Sequence, residues 1–594
     1  MTRTPLRPLA RILAARKQGE NPDAIERENL VRRHEEARDG ARERAEGRLL
    51  VLGVIFLCAF SMVAMKMTAL AASDPAEPRA AASGAQILAT RADITDRNGR
   101  ILATNLRTHS LYAQPPQMIE PVRSAKALAR IFPDLDEERL IRQFTGERKF
   151  VWIKRRISPE QQQAVFDIGE PGLLFGPREM RLYPNGRVAS HVLGGAGFGR
   201  EGVTSAELVG VAGIEKALDD ELRDPGRGDV PLALSLDLTI QAAVERVLEG
   251  GMRLMNAKGA AAVLMDIHTG EIRSLASLPD FDPNDRPRPL TTGDPGDSPL
   301  FNRAVQGVYE LGSTYKIFAA AQGIEERLVS RSTMIDIRGP LRWGNHRIRD
   351  FRNYGKALSV EDVIVKSSNI GTARIAMMIG TERQQDFLGN LGLLDVAPVE
   401  LIEASGARPL LPRNWSEIST MTISYGHGIS ASPLHLATAY SSLLNGGYKV
   451  EPTLLRRDNS QRGPRVVSED TSRQAREMLR AVVTRGTASF GDVAGYRVGG
   501  KTGTADKAKS TGGYYEDKVI ATFATVFPAD DPQYVLVVTL DEPVETSGKE
   551  PRRTAGWTAV PVAAEVIRRV APLLGLAPAV EPPLGTGVTL ARNN

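Results

Sequence analysis

The chain has 594 residues, 42% of them hydrophobic and 25% charged, so it is too long for one hydrophobic core and too apolar for wholesale disorder. Its net charge of +5 is small for that length and is not gathered into a basic face, which argues against a nucleic-acid partner. A single cysteine, Cys58, excludes an internal disulfide, and with no Cys-x-x-Cys pair there is no zinc-ribbon or thioredoxin-like site. Its apolar neighbours Leu57 and Ala59 predict that Cys58 is buried. Only 16 of the 76 basic residues are lysine. A lysine at a special position is therefore informative, because lysine can lose its proton when buried and arginine cannot.

In chain order, Asp23 to Gly47 is rich in Arg and Glu and reads as a solvated helix. From Leu49 to Met65 there is no charge over 17 residues, and Lys66 can snorkel, so a transmembrane helix is expected over 48–72. Six arginines (Arg32, Arg33, Arg38, Arg42, Arg44 and Arg48) precede the span, and only Arg79 and Arg91 follow closely. The positive-inside rule then leaves residues 1–47 as a cytoplasmic tail and exports the rest, with the catalytic part in the periplasm or outside the cell. The alternative is a cleaved signal peptide at Ala69-Leu70-Ala71, which the long charged leader disfavours. Residues 73–86 are small and Pro-containing, as a linker would be.

The exported part is expected to open on a hairpin, since apolar and polar residues alternate on both sides of Asn98-Gly99. Helical patterns such as SAKALARIF and SPEQQQAVFDI follow, giving a mixed α/β module over 87–228. A turn at Pro225–Asp229 marks the boundary to a second domain, 229–577. That domain starts with a strand, an amphipathic helix and a hairpin at His268-Thr269-Gly270, has a mainly helical middle, and regains strands at VIATFATVFP and YVLVVTLDE. Strands at both ends around a helical middle predict an α/β fold with one central antiparallel sheet. Residues 578–594 read as a loose tail.

Three short motifs lie in this domain: Ser313-Thr-Tyr-Lys316, Ser367-Ser-Asn369 and Lys501-Thr502-Gly503-Thr504. Their combination is the signature of penicillin-binding proteins and serine β-lactamases. A three-residue step on a helix brings the Lys316 amine to the Ser313 hydroxyl. A serine needs a base to become a nucleophile, and a lysine crowded by a second cation, Lys501, can be neutral near pH 7. Ser367 is a candidate proton relay, and Asn369 is expected to hold a ligand amide and to fix Lys316. Thr502, Gly503 and Thr504 suit the terminal carboxylate of a D-Ala-D-Ala peptide, and the amides of Ser313 and Thr504 are candidate oxyanion donors. No metal or cofactor is called for.

At these residues the chain resembles a class B penicillin-binding protein. The similar stretches are RADITDRNGRILA (91–103), RLYPNGRVASHVLG (181–194), GVAGIEKAL (210–218), NRAVQGVYELGSTYKIF (302–318), VKSSNIGTARIA (365–376), YGHGISASPLHLATAY (425–440) and VGGKTGTA (498–505). The resemblance implies a non-catalytic pedestal before a penicilloyl-serine transferase domain, peptidoglycan stem peptides as substrate and β-lactams as inhibitors. YGHGI at 425–429 is closer to the septal, FtsI-type enzymes than to the elongation type, which implies divisome membrane proteins as partners, a septal glycosyltransferase among them. Leu311 stands where the family usually has Pro, and Tyr315 where Phe is common. The competing readings are an elongation-type transpeptidase, a D,D-carboxypeptidase or β-lactamase that passes the acyl group to water, and an inactive division scaffold. A scaffold has no need of Lys316 beside Ser313.

Overall fold

A computed structural model describes residues 7–72, 91–201, 206–457, 462–509 and 512–579; the expected linker and residues 580–594 of the expected tail lie outside them. The chain divides into two units, 1–88 and 89–594. The first holds helices α1 (Arg7–Gln18) and α2 (Pro22–Ala72). Proline occurs in α2 only at its first position, where its missing N–H costs nothing, so the Arg-rich stretch and the apolar span run on as one helix. Its segment Gly47–Met67 is long and apolar enough to cross a membrane. Cys58 is exposed there, not buried as expected. The apolar residues around it encircle the helix and do not form a stripe facing a core.

The second unit opens with the expected hairpin. Strand β1 (Ile94–Thr95) pairs antiparallel with β2 (Ile101–Ala113), and Gly99 supplies the left-handed turn conformation at φ 82°. Helices α3 (Pro121–Ile131), α4 (Glu137–Phe144) and α5 (Pro159–Phe166) accompany β3 (Val151–Ile157) and β4 (Leu173–Leu182), which both pair with β2. Helix α5 starts on a capping box in which Ser158 and Gln161 satisfy each other's backbone amides. This head has its own small core around Leu111, Leu128, Phe144, Val151 and Val165.

The base of the pedestal is organised differently. Strands β5 (Gly195–Glu201) and β6 (Ala206–Ala212) form a ribbon, and β7 (Leu232–Ala233) returns to lie parallel to β1. Ile94, Leu102, Ile214 and Leu222 belong to one hydrophobic core with Leu264, Phe318, Tyr440 and Phe523 of the following domain. At the centre of the base Glu215 is wholly buried. Its carboxylate accepts from Arg91 Nε at 2.5 Å, Arg181 Nε at 2.6 Å and the Tyr183 hydroxyl at 3.2 Å. Three stretches far apart in sequence, around 91, 181 and 215, therefore meet at one charge.

The second domain is built on a five-stranded antiparallel sheet. Helix α6 (Leu238–Leu254) leads into β8 (Gly259–Asp266) and β9 (Ile272–Leu278). The middle carries α7 (Lys316–Glu325), α8 (Asn369–Ile379), α9 (Pro433–Leu444) and α10 (Glu469–Arg485). Strands β10 (Gly499–Ala508), β11 (Tyr514–Phe527) and β12 (Tyr534–Asp541) and helix α11 (Ala559–Leu573) complete it. The strand order is β10-β11-β12-β8-β9, which leaves β10 on an edge. Every residue of β9 and all but the last of β8 are buried, so helices cover both faces of the sheet, and β8 reads as a continuous apolar run. Two ribbons of three-residue strands, Met334–Asp336 with Ala357–Ser359 and Leu341–Trp343 with His346–Ile348, interrupt the helical middle. Strands this short carry too little periodicity to be read from sequence.

Candidate active site

Ser313 does not sit in an α-helix. It lies in a 3₁₀ turn, Gly312–Tyr315, that runs directly into α7. Side chains three apart eclipse in a 3₁₀ turn, so Ser313 and Lys316 share a face more closely than an α-helical step would give. The turn is seated by glycines. Gly503 on β10 leaves room for the Leu311 carbonyl, since a Cβ there would come within 2.1 Å of that oxygen. Gly426, at φ 76°, does the same for the Gly312 carbonyl, where a Cβ would approach to 2.0 Å. A Cβ on Gly312 would in turn lie 3.2 Å from the Thr504 nitrogen. The nucleophile turn is thus clamped between the edge strand and the 425–428 loop, and the Gly312 and Thr504 backbones adjoin.

Lys316, Ser367 and Lys501 come together. The Lys316 amine lies 2.6 Å from the Ser367 carbonyl and 3.0 Å from its hydroxyl. The Lys501 amine lies 3.0 Å from the same hydroxyl and donates to the Thr502 carbonyl at 3.1 Å. Both lysines are fully buried. Burial, reinforced by the charge of Lys501, pushes the Lys316 amine well below its ordinary range, against a smaller opposing pull from Asp350. Burial brings Lys501 down to about 7.

Ser367 owes its position to a helix end. Helix Val360–Val365 closes with the Ser367 amide on the Ile364 carbonyl at 3.2 Å and the Ser368 amide on the Val363 carbonyl at 2.9 Å. This is the Schellman pattern, whose left-handed position is usually glycine. Here it is Ser367, at φ 61°. Ser368 then caps α8 by accepting from the Gly371 amide at 3.0 Å.

Asn369 is not joined to Lys316. Its amide nitrogen donates to the Arg349 carbonyl at 3.0 Å, which leaves its carbonyl oxygen for a ligand amide. The expected fixing of Lys316 comes instead from the Ser367 main chain, because Asn369 opens α8 and is turned toward the 349–350 segment. Thr504 accepts from the Ala555 amide at 3.0 Å and keeps its own hydroxyl hydrogen for a ligand. Thr502 shares a 2.8 Å bond with the Thr487 hydroxyl. The two residues where the chain departs from the resemblance are both buried. Tyr315 packs edge-on against Phe318, which packs against Tyr440. Among the described residues its hydroxyl has no hydrogen-bond partner.

One group beside the nucleophile was not read from the sequence. Glu310 accepts from His427 Nδ1, the Gly428 amide and the Tyr514 hydroxyl, each at 2.9 Å. Burial alone would raise this carboxyl, but the three donors outweigh it and hold it below the usual carboxylate range, while Glu310 raises His427. The signal was an acid three residues before Ser313. It carried no meaning until the fold brought its partners from 117 and 204 residues away.

Comparison with known proteins agrees with this geometry. The family model of the Penicillin binding protein transpeptidase domain matches residues 260–567, and that of the Penicillin-binding Protein dimerisation domain matches 86–226. The "Probable peptidoglycan D,D-transpeptidase FtsI" of Caulobacter vibrioides is 36% identical over 498 residues, 82% of this chain and 82% of that one. The peptidoglycan D,D-transpeptidase FtsI of Escherichia coli K12 is 29% identical over 488 residues, 77% of this chain and 80% of its own. The crystal structure of Penicillin binding protein 3 from Mycobacterium tuberculosis, complexed with aztreonam, superposes with a TM-score of 0.61 at 26% identity, covering 83% of this chain and 98% of that one. With a transpeptidase-domain match over more than half its length and such relatives across most of it, the chain belongs to the penicillin-binding protein transpeptidase family, in its division-type, FtsI-like branch.

Proposed function

We propose that the protein is a septal peptidoglycan D,D-transpeptidase whose acyl-enzyme forms on Ser313. The observation that carries this reading is the Ser367 hydroxyl held 3.0 Å from each of two buried lysine amines. Neutral Lys316 donates one N–H to the Ser367 carbonyl and keeps its lone pair for the Ser313 proton. Ser313 Oγ attacks the carbonyl of the penultimate D-Ala. The amides of Ser313 and Thr504 receive the developing oxyanion. Lys501 with the Thr502 and Thr504 hydroxyls at the edge strand, and the Gly503 backbone between them, takes the terminal carboxylate. Ser367 passes the proton on to the departing D-Ala amine, and Asn369 receives the donor's upstream amide. An amine from a neighbouring strand then attacks the ester, so Ser313 regains its proton and a peptide bond replaces the one broken.

β-Lactams acylate the same serine, as the aztreonam complex of the Mycobacterium relative suggests by analogy. The apolar helix Gly47–Met67 anchors the protein in the cytoplasmic membrane with its N-terminus inside, next to divisome membrane proteins including a septal glycosyltransferase. The test is peptide mapping by mass spectrometry after exposure to penicillin. A stable, stoichiometric adduct on Ser313 that vanishes in Ser313→Ala is the expected result. Rapid release of hydrolysed drug, or a label elsewhere, overturns the reading.

A further inference from the structure

The Ser367-Ser368-Asn369 element is tied on its outer side to a second feature. The Ser368 hydroxyl donates to Asp350 at 2.7 Å, the Ile370 amide to the same carboxylate at 3.0 Å, and Asn369 to the Arg349 carbonyl. Beyond these bonds lies a cavity of about 420 Å³, lined by Arg338, Arg349, Arg352 and Tyr354 together with Asp350 and the first turn of α8 at Ile370. Its lining is net positive, three arginines against the one carboxylate of Asp350. Both Asp350 oxygens are occupied, and Arg338 is neutralised by Asp336 at 2.8 Å. Among the described residues no carboxylate lies within ion-pair distance of Arg349 or Arg352. Lys366 lies beside the bay, 6.0 Å from the centre of the Tyr354 ring.

Exposed arginines are ordinarily just solvated. These differ in that they share a concave site whose floor is hydrogen-bonded to the catalytic motif. The direction of the donor peptide follows from the roles proposed above, on which this inference rests. Its terminal carboxylate lies on β10, and its upstream amide lies at Asn369. Whatever is further upstream therefore leaves the cleft over Arg349 and Arg352.

We propose that this bay is a subsite for a free carboxylate carried by the donor peptide upstream of its D-Ala-D-Ala end. Planar guanidiniums match a carboxylate in two-point contact, which a neutral amide cannot reproduce. The bay would rank donors, and acidic acylating drugs, by the charge of that upstream group. It takes no part in the bond-making step.

The experiment uses the full chain and two synthetic thioester donors ending in acyl-D-Ala, identical except that one has an upstream side-chain carboxylate and the other its carboxamide. The rate of Ser313 acylation is measured for each. The ratio of the two is read within each variant, so that a general loss of fold or activity cancels. The wild type is expected to favour the carboxylate by about tenfold or more. Arg349→Gln with Arg352→Gln should bring the ratio to about one, and Arg352→Glu should lower it further. A wild-type ratio near one, or a preference that survives in the double variant, overturns the proposal while leaving Ser313 chemistry intact. Acylation by neither donor would instead refute the Ser313 reading, and the bay with it.

Discussion

At the scale of single residues, the site trades stability for reactivity, and two measurements separate the terms. Lys316→Arg keeps the charge but removes the possibility of a neutral base, so acylation by penicillin should be lost. A near wild-type rate would mean that Lys316 supplies only charge. Ser367 occupies a left-handed position that costs a serine roughly 1 kcal/mol against glycine. Ser367→Gly should therefore raise the unfolding free energy by about that amount while slowing acylation some 10²–10⁴-fold. Ser367→Ala should slow it as much with no gain in stability. If Ser367→Gly acylates normally, the relay role is wrong.

The buried lysines also make stability depend on pH, with a sign that can be worked out. Unfolded lysine titrates near about 10.4, whereas Lys501 in the fold has been brought down to about 7. Between these values the unfolded chain binds more protons than the folded one, so stability rises with pH over that window. Urea unfolding from pH 7 to 10 should show a smaller rise for Lys501→Met than for the wild type. Equal slopes would contradict the lowered amine.

At the scale of elements, reactivity depends on three backbone segments that meet without side chains between them. Gly426→Ala places a methyl group about where the Gly312 carbonyl now lies. The 425–428 loop must then move off the nucleophile turn. We expect at least a hundredfold fall in acylation with far-UV circular dichroism unchanged, since a displacement of about 1 Å at a catalytic group can cost that much. Full activity would show that the clamp is not needed. These elements also mark what could be read in advance. The hairpins at Gly99 and Gly270, the closing strands and the three motifs were legible because each rests on local chemistry or a fixed spacing. Ser313 as part of a 3₁₀ turn, Asn369 bonded to Arg349 and the Glu310–His427–Tyr514 group were not. Each depends on which distant backbone arrives alongside, and no residue type announces that.

At the scale of the whole molecule, the base of the pedestal is held by a buried charge cluster and not by apolar contact alone. Removing one partner of such a cluster strands the others without solvent. Glu215→Ala leaves Arg91 with Asp219 and takes the carboxylate from Arg181 in the core, and it should cost roughly 3–5 kcal/mol in denaturant unfolding. A loss under 1 kcal/mol would mean that water reaches the site. The head, with its separate core around Leu128, should respond differently. Leu128→Ala should loosen the head, seen by hydrogen exchange, without changing the rate of Ser313 acylation.

The strand order sets a timetable for folding. The head closes from neighbouring stretches of chain and can form as soon as it has been made. Strand β8, by contrast, pairs at once with its hairpin neighbour β9, but its other edge waits for β12, with Asp266 opposite Tyr534, and β1, already paired with β2, waits for β7 on its far side. A nascent chain therefore carries a long apolar strand with one open edge until Tyr534–Asp541 has been synthesised, and in that interval pairing with a second copy or capture by a chaperone competes most strongly with folding.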